Sequence, residues 1–207
     1  LYLDGILISS GNPLANPGNP TTWVNQFLKI GQGLANESFA GQIDDIALYS
    51  RSLTSTEITQ IYTSQTSTVQ APCPTLATNL QTGLVGYWPF CGNANDESGN
   101  GNHGTVNGAT LTTDRFGNAI SAYSYSSAGD LISTSNILNF SQDFSVSMWF
   151  KSTFSGGQTL LNTIPHTDFG LSINADFIDQ ISFLYGTGLS VGWIEGSNYT
   201  SSSALLG

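Results

Sequence analysis

The residues best suited to chemistry lie in one loop and one dipeptide. Between Asn93 and Asn102 the chain sets Asn93, Asn95, Asp96, Glu97, Asn100 and Asn102 among glycines. Hard oxygen donors on a compact, flexible backbone are what a calcium ion takes as ligands. The spacing is not that of an EF-hand loop, whose Asp-x-Asp-x-Asp-Gly run and closing glutamate are missing. The same residues also build Asx turns, in which each side chain bonds its own backbone. The dipeptide is Asp44-Asp45, inside the apolar run Phe39–Tyr49. Under strict alternation Asp44 shares a face with Ile46 and Leu48, and Asp45 shares one with Ile43. A carboxylate on a core face is costly unless it is paired or holds a metal. A bulge at the dipeptide would relieve the conflict and re-aim one side chain.

Other reactive groups are few. His103 and His166 are the two histidines, neither is patterned beside a nucleophile, and no Gly-x-Ser-x-Gly turn occurs. Asp130, Asp168, Asp176, Asp179 and Glu195 could supply glycosidase carboxylates, but nothing selects a pair across a cleft. No catalytic residue is assigned, and the chain reads as a non-enzyme. Trp23, Trp88, Trp149 and Trp193, with eight tyrosines, could stack on sugar rings, although most belong in the core of a sandwich this size. Trp193 follows Gly192 in a polar setting near Asn198 and Tyr199, so Trp193 and Tyr199 are the expected ligand-binding residues. Cys73 and Cys91 do not have zinc-site spacing, and no Cys/His pair completes one. In an oxidising compartment they would form a disulfide worth about 3 kcal/mol. The alternative is one buried and one exposed thiol.

Composition narrows the partners. The net charge is −10, and Lys29, Arg51, Arg115 and Lys151 are the whole basic complement. A nucleic-acid backbone or an anionic membrane surface would be repelled, with no basic cluster to overcome it. Acidity of this kind suits solubility outside the cell. Hydrophobic residues are 39%, charged residues 9%, and glycines number 23, which points to a turn-rich β protein. Apolar runs stay too short for membrane insertion by a helix. No basic-then-apolar leader opens the sequence, and a start in mid-strand suggests an internal fragment.

The elements that must carry these residues follow from local pattern. Asp4-Gly5 between two apolar pairs predicts a tight hairpin. Residues 11–22, rich in Gly, Asn and Pro, predict a loop. Strands are expected at Trp23–Gly31 and Phe39–Tyr49. Thr54 with Glu57 forms a capping box, and Leu53 with Ile58 a hydrophobic staple, opening a helix of about two turns. Ile58, Ile61 and Tyr62 give it one apolar stripe. Residues 63–82 read as a linker with little to bury. Beyond it, strands are expected at Leu84–Phe90, Ala119–Tyr125, Phe144–Lys151, Thr159–Asn162, Phe169–Ile173, Gln180–Tyr185 and Leu189–Ile194. Short strands without intervening helices indicate an all-β, antiparallel sandwich. In Phe144–Lys151, Phe144, Val146, Met148 and Phe150 share one face.

Taken together, these segments resemble the laminin-G-like, concanavalin A-like jelly roll of large secreted bacterial proteins. The opening half is similar to Gly83–Phe90, the loop 96–108, Asp114-Arg-Phe-Gly-Asn-Ala119, Tyr123–Tyr125 and Phe144–Phe150. The closing half is similar to Leu1-Tyr-Leu-Asp-Gly5, Leu28–Gly31, Phe39–Tyr49 and the helix from Leu53 to Tyr62. The halves stand in inverted order, and the Trp-His strand that precedes the hairpin in the family has no counterpart. The resemblance thus implies a window on a tandem array. Residues 1–62 would be the C-terminal half of one sandwich, 63–82 a linker, and 83–207 the N-terminal half of the next. The halves would stand apart with exposed edges or dock as one permuted sandwich. Burial of their apolar faces favours docking. The resemblance further implies a structural calcium held by Asp96, Asn102 and Asp44, an extracellular or cell-surface location, and neighbouring repeats as partners. The function expected is a non-catalytic adhesion or binding module for carbohydrate or a cell-surface protein. The alternatives are a structural spacer or an accessory domain of a polysaccharide-degrading enzyme.

Overall fold

The computed structural model describes residues 2–7, 26–33, 38–66, 73–138, 143–152, 158–163, 169–176, 180–187 and 194–200. The fold is organised around β4 (Gly41–Tyr49), whose inward residues Ile43, Ile46 and Leu48 are at most 2% exposed. One flank of β4 pairs with β10 (Ser145–Ser152). The other flank carries two strands end to end. β8 (Ala122–Tyr125) takes the beginning of β4, and β5 (Leu84–Trp88) takes its end. β7 (Thr110–Thr112) extends this five-stranded sheet beyond β8.

The facing sheet has seven strands. They run β14 (Ile194–Thr200), β13 (Gln180–Thr187), β12 (Phe169–Asp176), β11 (Gln158–Thr163), β3 (Gln26–Ile30), β9 (Leu131–Leu138) and β6 (Thr105–Asn107). Every pairing among the described strands is antiparallel. Strands from both sides of residues 63–82 therefore share each sheet. One cluster joins the two layers: Leu28, Ile30, Ile132 and Leu161 from one meet Ile43, Ile46, Trp88 and Tyr123 from the other. At about 1.5–3 kcal/mol for each fully buried large apolar side chain, this shared core is the main term holding the layers together. Among the described residues the body is thus all-β and sandwich-like, with antiparallel sheets and one α-helix. Phe144, just before β10, packs on the main core with Val146, Met148 and Phe150 of the strand, as their shared face requires.

The hairpin of β1 (Tyr2–Leu3) and β2 (Ile6–Leu7) turns at Asp4 and Gly5, with φ of 49° and 73°. Both values lie in the left-handed region that Asp-Gly tolerates. Helix α1 (Ser55–Gln65) begins at the expected capping box: Thr54 accepts from the Glu57 N–H, and Glu57 accepts from the Thr54 N–H. It runs three residues past the boundary expected at residue 62. Ile61 and Gln65, one turn apart, are both buried, and tertiary packing carries the helix through a polar sequence. Part of the segment expected to bury little is packed as well. Leu80, in a 3₁₀ turn at Thr78–Gln81, is 1% exposed in a second cluster with Ala47, Tyr49, Ile61 and Tyr87. That cluster fastens α1 to the outer face of the five-stranded sheet.

Candidate functional site

β4 buries two adjacent carboxylates, and the backbone explains how. Ala47 pairs with Ser147 and Asp44 with Trp149, so Asp45 and Ile46 together face only Met148. This is a bulge, and Asp45 sits at φ 49° within it. The extra residue changes the parity of the strand, which lets Ile43 and Ile46 both enter the main core although three positions apart. The carboxylates are then free to meet Arg115 from the loop between β7 and β8. Arg115 Nη1 donates to Asp44 Oδ2 at 2.7 Å, and Nη2 to Asp45 Oδ2 at 2.8 Å. Nη2 also donates to Gln65 O at 2.9 Å, at the end of α1. The guanidinium lies 4.6 Å from the Phe116 ring centre and 4.4 Å from that of Trp149. Trp149 in turn stacks on Tyr62 of α1 and donates through Nε1 to Gln65 Oε1 at 2.8 Å. One arginine thus joins β4, β10 and the helix terminus, where a cation also meets the favourable end of the helix dipole.

One guanidinium faces two buried acids. Burial, reinforced by Asp45, pushes the Asp44 carboxyl up to about 8 against the pull of Arg115. Tyr87 Oη stands 3.4 Å from Asp45 Oδ1, and burial first, then Asp45, raises that phenol as well. Low local dielectric makes such a network valuable when satisfied and costly when broken. Sequence reading assigned Arg115 no role. The available signal was a pair of adjacent acids in an apolar strand of a chain with four basic residues, two of them arginines.

Asp96 has a different task. Its Oδ1 accepts from the Tyr87 and Ser98 N–H groups and its Oδ2 from the Asn102 N–H, each at 2.9 Å. Asn102 Nδ2 donates to Val85 O at 2.8 Å, and Asn102 O accepts from Trp88 Nε1 at 3.0 Å. Asn100 Nδ2 donates to Leu84 O at 2.8 Å, and the Glu97 N–H donates to Tyr87 O at 2.8 Å. The oxygen-rich loop therefore lies along the outer edge of β5 and satisfies its backbone, as a neighbouring strand would. His103 Nδ1 accepts from the Asp96 N–H at 3.1 Å and belongs to the same seam.

Calcium at Asp96, Asn102 and Asp44 can be tested on this arrangement. The Asp96 oxygens are aimed at N–H donors, Asn102 turns its amide to Val85, and Asp44 faces a guanidinium. No hydrogen bond or ion pair among the described residues joins Asp44 to Asp96. Nor do these residues hold a cluster of three or more His, Cys, Asp or Glu side chains around a common point. In this arrangement the three expected ligands do not form a preformed calcium cage, and no step is derived through the ion.

The remaining candidates divide. Trp193, His166, Asp168 and Asp179 lie outside the described residues. Tyr199 lies in β14, the end strand of its sheet among the described strands, in register with Ile181. Trp88 is fully buried, and the Trp149 ring is taken up by Arg115 and Tyr62. Asp130 Oδ2 accepts from the Ser126 and Ser127 N–H groups at 2.8 Å and holds a turn. Cys73 and Cys91 are thiols held side by side, Cys73 exposed and Cys91 half-buried; the disulfide expected from the sequence is not formed here. Among the described residues, no helix is long and apolar enough to cross a membrane.

An open polar groove runs between α1 and the 3₁₀ turn. Gln60 and Asn79 bridge it with a reciprocal amide pair, Gln60 Nε2 to Asn79 Oδ1 at 3.3 Å and Asn79 Nδ2 to Gln60 Oε1 at 2.8 Å. Thr56, Thr82 and the Arg51–Glu57 ion pair border it. Comparison of the chain with protein families, with characterised proteins and with solved structures finds no match.

Proposed function

We propose that the chain is a non-catalytic binding module of the laminin-G-like, concanavalin A-like jelly-roll type. It works outside the cell or at its surface and recognises carbohydrate or a surface protein. The observation that supports this reading is the use to which polar groups are put. Asp44, Asp45, Asp96, Asp114 and Asp130 bond an arginine or backbone N–H groups, which is scaffold work. The groove at Gln60 and Asn79, by contrast, presents planar amides and hydroxyls to solvent. Each amide retains a donor and an acceptor for a sugar hydroxyl. Sugar stacking on Trp193 and Tyr199 is a second part of the same proposal.

The experiment is a titration of the isotopically labelled chain with a panel of oligosaccharides at millimolar concentration, followed by amide NMR. Shifts at Gln60 and Asn79, abolished in the Gln60→Ala/Asn79→Ala variant, would place binding in the groove. Shifts lost only in Trp193→Ala or Tyr199→Ala would place it on those aromatics. No shift with any sugar would favour the spacer reading. A catalytic domain encoded beside this segment would favour an accessory role in polysaccharide degradation.

A further inference from the structure

Cys73 and Cys91 are brought together by two anchored backbones. Tyr87 Oη donates to Pro74 O at 3.1 Å, pinning the residue after Cys73 to β5. The Gly92 N–H donates to Ile120 O at 2.7 Å and fixes the residue after Cys91. The Cys73 and Cys91 side chains are in contact. Cys73 is exposed and Cys91 is half-buried. We propose that they form an ordered dithiol site, in which Cys73 attacks a small-molecule disulfide and Cys91 resolves the product into an internal bond.

The chemistry balances in two exchanges. The Cys73 thiolate attacks one sulfur of the oxidant, forms a mixed disulfide and releases half of the oxidant as a thiolate. The Cys91 sulfur, after giving up its proton, attacks the Cys73 sulfur and releases the other half. The two cysteines are oxidised, the small disulfide is reduced to two thiols, and the protons leave with those thiols. Burial, then the Cys73 contact, raises the Cys91 thiol well above its ordinary range. That keeps Cys91 from meeting the oxidant first and leaves the opening attack to Cys73; its own attack on the mixed disulfide is intramolecular, which offsets its smaller thiolate fraction. Closure would fasten the segment carrying Leu76 and Leu80 to the end of β5 and restrict the unfolded chain.

The test exposes the full chain to oxidised glutathione at mildly alkaline pH and follows it by intact mass and thiol titration. Wild type is expected to lose both thiols, to lose the mass of two hydrogens and to retain no glutathione. Cys91→Ser should accumulate glutathione on Cys73, and Cys73→Ser should react about ten-fold more slowly or less. Limited alkylation of the unmodified chain, read by peptide mapping, checks the order without any substitution and should label Cys73 first. Glutathione retained on both sulfurs of wild type, unreacted thiols, or equal labelling rates would each overturn the proposal.

Discussion

The Arg115 guanidinium carbon lies 4.4 Å from the centre of the Trp149 ring, so the one arginine that neutralises β4 also stacks on β10. Its side chain is 21% exposed, and that of its partner Asp45 only 2%. Removing one member of a buried ion pair costs about 3–5 kcal/mol, because the remaining charge is left without compensation. Arg115→Ala is expected to lower the unfolding free energy by that order in urea titration. Arg115→Lys should recover only part of it, since an ammonium cannot fork between two carboxylates. A loss below about 1 kcal/mol would reduce the network to the weight of a surface pair.

Stability should depend on pH through Asp44. Its carboxyl is raised from 3.8 in the unfolded chain to about 8 in the folded one. The native state therefore keeps a proton that the unfolded state has released. The resulting stabilisation is complete below the lower value and is lost as pH rises towards the upper one. Unfolding free energy should fall between pH 5 and 8, by at most ~1.4 kcal/mol per pH unit. Asp44→Asn should flatten that slope, and an unchanged slope in the variant would assign it elsewhere. The Glu57 carboxyl is lowered to about 2, chiefly by its hydrogen bond to Arg51, so its contribution is lost only in more acidic solution.

Asp96→Ala strips the acceptor from three backbone N–H groups at once. A buried donor left unsatisfied costs about 1–3 kcal/mol; the Tyr87 N–H is buried and the other two partly so, and the melting temperature should fall with no calcium present. Added calcium should leave the melting temperature of the wild-type chain unchanged. A calcium-dependent rise that Asp96→Ala abolishes would instead restore the ligand set implied by the family resemblance.

Gly31 and Tyr125 offer a paired contrast. Gly31 has φ 87°, and a Cβ there would run into the Tyr125 ring. Gly31→Ala should destabilise by more than ~1 kcal/mol. The Tyr125 hydroxyl is buried without a hydrogen-bond partner. Tyr125→Phe should accordingly be neutral or stabilising, since it removes an unsatisfied polar atom. Chemical denaturation of both variants checks the pair, and a large loss in Tyr125→Phe would reveal a partner for that hydroxyl.

The features legible in the sequence are those encoded within a few residues. The Asp4-Gly5 hairpin, the Thr54–Glu57 box and the alternation of β10 each depend on neighbours along the chain. The bulge at Asp44-Asp45 was legible too, because two acids in an apolar strand create a conflict with few resolutions. β9 was not, since its inward position Thr134 is polar and is accommodated by hydrogen bonding to Leu28. β6 and β7 are three residues each and carry no period of their own. Of the strand expected at Leu189–Ile194, residues 189–193 lie outside the described residues, and β14 begins at Ile194. Arg115 was invisible for a different reason: its partners lie about seventy positions away, and no local pattern marks so distant a contact.

The placement of β4 sets an order of events during synthesis. Its hydrogen-bonding neighbours all lie downstream, the last of them ending at Ser152. In a nascent chain emerging from the ribosome, β5 can cover the end of this apolar strand first, but the flank that β10 takes stays unzipped until Ser152 has followed it. Long-range closure of that kind is slow, and a waiting strand is prone to aggregation. Translation speed and chaperone supply should therefore govern the yield of this protein more than its final stability does.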